Sequence, residues 1–106
     1  FRKDLAELFS RIDLLVCPTA PLTAPIHDAQ ELLIDGYKVE PSHAAAATAG
    51  LGLTGSPAIS VPFGYSDENM PIGVQLVAHR YHEATLLHAS YALETVFESR
   101  RSYPTL

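Results

Sequence analysis

Thr54-Gly55-Ser56-Pro57-Ala58-Ile59-Ser60-Val61-Pro62-Phe63-Gly64, followed by Pro71-Ile72-Gly73-Val74-Gln75-Leu76-Val77, is the stretch from which the fold can be read. Two apolar runs rich in β-branched residues are bounded by glycine and proline, the punctuation of strands rather than helices. The link between them carries Ser66-Asp67-Glu68-Asn69 and is short. Strands at Ala58–Phe63 and Ile72–Ala78 paired antiparallel are the simplest consequence.

Outward from this pair, Leu5, Leu8, Phe9 and Ile12 fall at i, i+3, i+4 and i+7, with Arg2, Lys3, Glu7 and Arg11 on the other side. That spacing predicts an amphipathic helix ending at Asp13. Leu14-Leu15-Val16-Cys17 is then a continuous apolar run stopped by Pro18, the pattern of a strand buried on both faces. Pro18, Pro21 and Pro25 keep the next stretch extended. Leu32–Ile34 and Tyr37–Val39 flank Asp35-Gly36, a dipeptide suited to the positive φ angles of a tight hairpin. Ser42 is placed to cap an alanine-rich helix that Gly50 would end. A last helix runs from about His82 to Ser99, with Leu86, Ala89, Leu93, Val96 and Phe97 as its apolar stripe and Glu83, Glu94 and Glu98 solvated. The expectation is one partial α/β domain spanning 1–106.

Composition narrows the function. The 106 residues carry a net charge of -5, and the seven basic residues do not cluster beyond Arg100-Arg101, so a nucleic-acid surface is not expected. No apolar run approaches the ~20 residues needed to span a bilayer, so no membrane association is expected. The single cysteine, Cys17, excludes an internal disulfide and suits a reducing, cytoplasmic compartment. Phe1 opens inside an amphipathic pattern already under way, as in a piece of a longer chain.

Several chemical motifs fail on inspection. Gly50-Leu51-Gly52-Leu53-Thr54-Gly55 has the G-x-G-x-x-G spacing, but a helix precedes it and a strand follows, the reverse of the order that presents helix amides to a pyrophosphate. His79, His82 and His88 around Glu83 lack the spacing of helical zinc motifs. No metal or other cofactor is expected. Cys17 has no neighbour in sequence to activate it and reads as a small buried hydrophobe. Ser56 and Ser60 lie in no G-x-S-x-G or S-x-x-K arrangement, and the only lysines are Lys3 and Lys38.

The ordered blocks Asp13-Leu14-Leu15-Val16-Cys17-Pro18-Thr19, Ala24-Pro25, Leu53 to Pro62, Pro71 to Val77, and Glu83 with Leu86-Leu87 resemble the C-terminal stretch of the amidase signature family. The resemblance implies the C-terminal portion of a mixed β-sheet covered by helices. It also implies hydrolysis of a small-molecule amide by a serine nucleophile assisted by a second serine and a lysine base, a base being needed because free serine is a weak nucleophile. Those three residues and the glycine-rich oxyanion loop of the family lie upstream of the matching stretch, so no catalytic residue is assigned here. The resemblance further implies that Thr19, Pro21, Pro62 and Phe63 line the acyl side of a substrate cavity; the alternative is that they cap strands and pack.

Two positions depart from the family pattern. Gly52 stands where asparagine is usual and His82 where a small acidic cap is frequent. Of the family's branches, these departures disfavour the one formed by the amidotransferase subunit. The competing reading is a scaffold or interaction module, such as a pseudo-enzyme or an amidotransferase subunit piece. Either way, apolar strands without covering layers should lead the isolated chain to associate with a missing N-terminal half or with itself.

Overall fold

The computed structural model describes residues 1–98 of the chain. In order, the elements are α1 (Arg2–Phe9), β1 (Leu14–Pro18), β2 (Leu32–Ile34), β3 (Tyr37–Val39), a 3-10 turn (Pro41–Ala45), α2 (Ala46–Gly52), β4 (Ala58–Tyr65), β5 (Pro71–Ala78) and α3 (Glu83–Glu98). The class is α/β, as the residue patterns predict.

β4 and β5 form the expected antiparallel hairpin, with Ala58 opposite Val77 and Val61 opposite Val74. Its turn is closed by Ser66 N to Met70 O at 2.9 Å and by the Ser66 hydroxyl, which accepts from Met70 N at 3.2 Å. β1 joins the far side of β5, antiparallel, pairing Leu14 with Ala78 and Pro18 with Val74. The sheet order is β1-β5-β4, and β5 is therefore its centre.

This order corrects the expectation for Leu14–Cys17. A continuous apolar run was expected to be buried on both faces, but β1 is an edge strand among the described residues, and Val16 is 54% exposed. The strand buried on both faces is β5, where Gln75, Leu76, Val77 and Ala78 are all buried. Alternate residues of β5 serve opposite faces. Leu76 and Ala78 meet Val61 and Leu86 in the main core, with Leu14, Ile59, Val74, Ala89 and Leu93 around them.

α3 covers this face. Residues 86, 89, 90, 93 and 97 fall on one side at 3.6 residues per turn, and Leu86, Ser90 and Phe97 are buried. Val96 sits about 100° away from Phe97 on that wheel and is 74% exposed, so it does not belong to the stripe. The side chain of Glu98 and Ser99 lie outside the described residues.

The hairpin β2–β3 forms as expected, with Asp35 at φ 49° and Gly36 at φ 80°. The segment before α2 differs from expectation. Pro41, with its fixed φ, takes the first position of a 3-10 turn and draws Ser42 inside it. α2 itself has no side-chain cap and passes through Gly50 to Gly52. In this segment the positive angle falls not on Gly50 or Gly52 but on Gly55, at φ 76°. Thr54, buried beside it, donates to Leu51 O at 2.6 Å and accepts from Ser56 N at 3.1 Å. This hydroxyl holds the turn that delivers the chain from α2 into β4.

Candidate functional site

The face of the sheet turned away from α3 carries a cavity of about 490 Å³. Three segments meet there. The loop Thr19–Pro25 leaves the end of β1, Ala44 reaches in from the 3-10 turn, and Ser60 with Pro71, Ile72 and Gly73 supply the strand surface.

Local chemistry explains why these parts meet. Thr19 N donates to Gly73 O at 3.2 Å, extending the β1–β5 ladder by one residue before the prolines take over. This brings the Thr19 hydroxyl 2.7 Å from the Ser60 hydroxyl, forming a bridge between the two edge strands across β5. The bridge passes over Gly73. A Cβ at position 73 would stand 3.0 Å from Ser60 Oγ and 3.2 Å from Thr19 Oγ1, closer than side chains tolerate without yielding. Gly73 is thus a close-approach glycine that leaves room for the hydroxyl pair.

Below the pair, Gln75 fixes the frame. Its side chain is buried, and Nε2 donates to Pro18 O at 3.2 Å and to Ala47 O at 3.1 Å. One amide therefore ties the central strand to the end of β1 and to α2. Two carbonyl acceptors can be served only by the NH2 side of the amide, which sets its orientation.

Of the residues singled out from the sequence, Thr19 and Pro21 line this cavity. Pro62 lines a smaller adjoining hollow of about 270 Å³ that shares Ser60, Pro71, Ile72 and Gly73 with it. Phe63 lines neither. The β4–β5 register shifts between Pro62 and Gly64, leaving Phe63 as the extra residue of a β-bulge, 57% exposed. Sequence reasoning passed over Ser60 after testing it only as a nucleophile, and passed over Gly73. The period of two could have found Ser60, which shares the face of Pro62; Gly73 lies opposite Pro62 only through the strand register, which local sequence does not give.

The cavity contains no acid, base or histidine among its described lining residues. Cys17 is half-buried in β1 and is not part of the wall. Among the described residues no three His, Cys, Asp or Glu side chains gather as metal ligands, and no helix is long and apolar enough to cross a membrane. The histidines near Glu83 instead make ring contacts: His79 stands edge-on to Phe9, with centroids 6.1 Å apart, and to His82 at 5.3 Å.

The family described as Amidase matches residues 1–87, and the chain belongs to it. Among its relatives is a glutamyl-tRNA(Gln) amidotransferase subunit from Thermosynechococcus vestitus, 37% identical over 99% of this chain and 21% of that protein. Among solved structures, an amidase superposes with a TM-score of 0.83 at 25% identity, covering 90% of this chain and 22% of that one. 6-Aminohexanoate cyclic dimer hydrolase superposes at 0.76 with 31% identity, covering 90% and 22%. The chain spans about a fifth of the length of the relatives it matches. Because a relative at 37% identity bears the amidotransferase name, Gly52 and His82 do not by themselves set this chain apart from that branch.

Proposed function

We propose that this chain is the C-terminal portion of a hydrolase acting on carbon-nitrogen bonds of small-molecule amides, a single partial domain over 1–106 whose serine nucleophile, second serine and lysine lie upstream. Its own contribution is scaffold and one wall of the substrate cavity, with Thr19, Pro21 and Pro62 on that wall and Phe63 beside its rim. The observation that carries this reading is the hollow over Gly73, formed where β1, β4, β5 and the 3-10 turn converge in a chain of the Amidase family. A free serine needs an adjacent base to attack an amide, and this wall offers none. Catalysis therefore depends on the missing region, which is also the natural partner for the sheet's open edges. The lone cysteine supports a cytoplasmic location.

The test compares two proteins. The 106-residue chain should release no ammonia from a panel of amides at any pH, whereas the product of the complete gene should release it. Ammonia release by the rigorously pure short chain would overturn the assignment of catalysis to upstream residues. A complete gene product that hydrolyses no amide would favour the second reading, a non-catalytic scaffold or interaction module such as a pseudo-enzyme or an amidotransferase subunit piece; of these, only the amidotransferase is named among the relatives.

A further inference from the structure

Resting on that hydrolase reading, we propose that the wall built by this chain receives an uncharged portion of the amide substrate, and that the Thr19–Ser60 hydroxyl pair is its specificity-determining polar contact. The wall's composition argues for this. The chain carries twelve acids, seven bases and five histidines, yet none of those among the described residues lines the cavity. Charged side chains are satisfied elsewhere: Lys38 pairs with Glu31 at 2.7 Å on the β2–β3 ribbon, and Arg2 donates to Leu53 O at 3.1 Å beyond the end of α2. The cavity is faced by Pro21, Leu22, Pro25, Ala44, Pro71 and Ile72, three of them prolines whose fixed φ makes the surface stiff. A carboxylate or ammonium pressed against such a wall would lose its water without gaining a counter-charge.

Thr23 adds one further hydroxyl from the loop, while the Thr19–Ser60 pair, bridged across β5, is the polar contact that the sheet itself holds in place. Each hydroxyl has one donor and two acceptor lone pairs. Their mutual bond at 2.7 Å uses one hydrogen and one lone pair. One donor and three lone pairs are left, enough to satisfy a neutral hydroxyl or carbonyl in either sense but not to neutralise a charge. Gly73 keeps the pair open to the cavity, because a side chain there would occupy the space in front of both oxygens.

The experiment uses the complete gene product and three amides of one chain length: pentanamide, 5-hydroxypentanamide and 4-carbamoylbutanoate. The neutral pair should exceed the carboxylate in kcat/KM by roughly tenfold or more. In Thr19→Val and Ser60→Ala, the ratio of kcat/KM for the hydroxyamide over pentanamide should fall by roughly three- to tenfold, mainly through KM, the loss expected for one hydrogen bond. Thr19→Ser, which keeps the hydroxyl, should restore the ratio. Because the readout is a ratio within one protein, partial misfolding of a variant does not produce it. Equal or better turnover of the carboxylate, or a ratio unmoved in both variants, would overturn the proposal while leaving amide hydrolysis intact. Failure to hydrolyse any of the three would instead count against the hydrolase reading itself.

Discussion

Replacing Gln75 tests whether one buried amide holds the cavity's frame together. In Gln75→Leu the side chain keeps a similar volume but loses two hydrogen bonds, of 3.2 Å to Pro18 O and 3.1 Å to Ala47 O. Each bond contributes about 1 kcal/mol net, and two carbonyls lose their partner in a region where Gln75 is only 4% exposed. The expected loss is about 2–4 kcal/mol, a large part of the stability of a domain this size. Gln75→Glu adds a sign that a simple packing defect cannot imitate. A protonated carboxyl can donate to one of the two carbonyls, so near pH 4 the variant should be the less damaged of the two. Burial against carbonyl oxygens raises the folded-state pKa of that carboxyl. Stability is then fully present below the unfolded value of about 4.3 and is lost as pH rises from there toward the folded pKa, at about 1.4 kcal/mol per pH unit. Equilibrium urea unfolding followed by circular dichroism at pH 4 and pH 7 reads both effects, with a midpoint shift of about 1–2 M for Gln75→Leu. A Gln75→Leu variant within about 0.5 kcal/mol of the parent, or a Gln75→Glu variant whose deficit does not grow with pH, would refute the role assigned to the amide.

Other perturbations separate core from surface and floor from wall. Leu76→Ala, at a position 1% exposed in the centre of the sheet, should cost about 3 kcal/mol, whereas Val96→Ala, 74% exposed, should stay within about 0.5 kcal/mol; comparable losses in urea unfolding would mean that α3 packs by a different face. Gly73→Ala should cost about 1–3 kcal/mol by the same measurement, because the new methyl meets two hydroxyl oxygens at 3.0 and 3.2 Å; a neutral substitution would show that the pair moves aside freely. The isolated chain should self-associate in light scattering, since β1 and β4 each leave an edge unpaired among the described residues and Val16, Phe63 and Leu53 are exposed. A stable monomer would contradict this.

The order of elements was legible in the residues because its signals are local. Asp35-Gly36 announces its hairpin by backbone angles that few dipeptides accept, and the polar link after Gly64 leaves β4 and β5 little choice but to pair. Thr19 and Pro21 came from the resemblance to the family rather than from periodicity, and both line the hollow at the end of β1. Position within the sheet was a different matter. Leu14–Cys17 and Val74–Val77 are similarly apolar on paper, yet β5 becomes the buried centre and β1 an edge, because burial depends on which strands arrive on either side. Pro41 likewise outcompeted Ser42 for the start of the helical segment, a contest between a fixed φ and a side-chain cap that only the folded geometry resolves.

The site divides along the same line. The ordered blocks determined by themselves that the chain follows the amidase pattern. Only the tertiary structure brought Thr19 within 2.7 Å of Ser60, residues 41 apart in sequence, over a glycine that neither signals from its own neighbourhood. It also sets Phe63 at a one-residue register shift, outside the described lining of both hollows. The reason is that local spacing decides which face a side chain takes within its own strand, while the distance between two strands' side chains is decided by pairing, register and the absence of a Cβ in between.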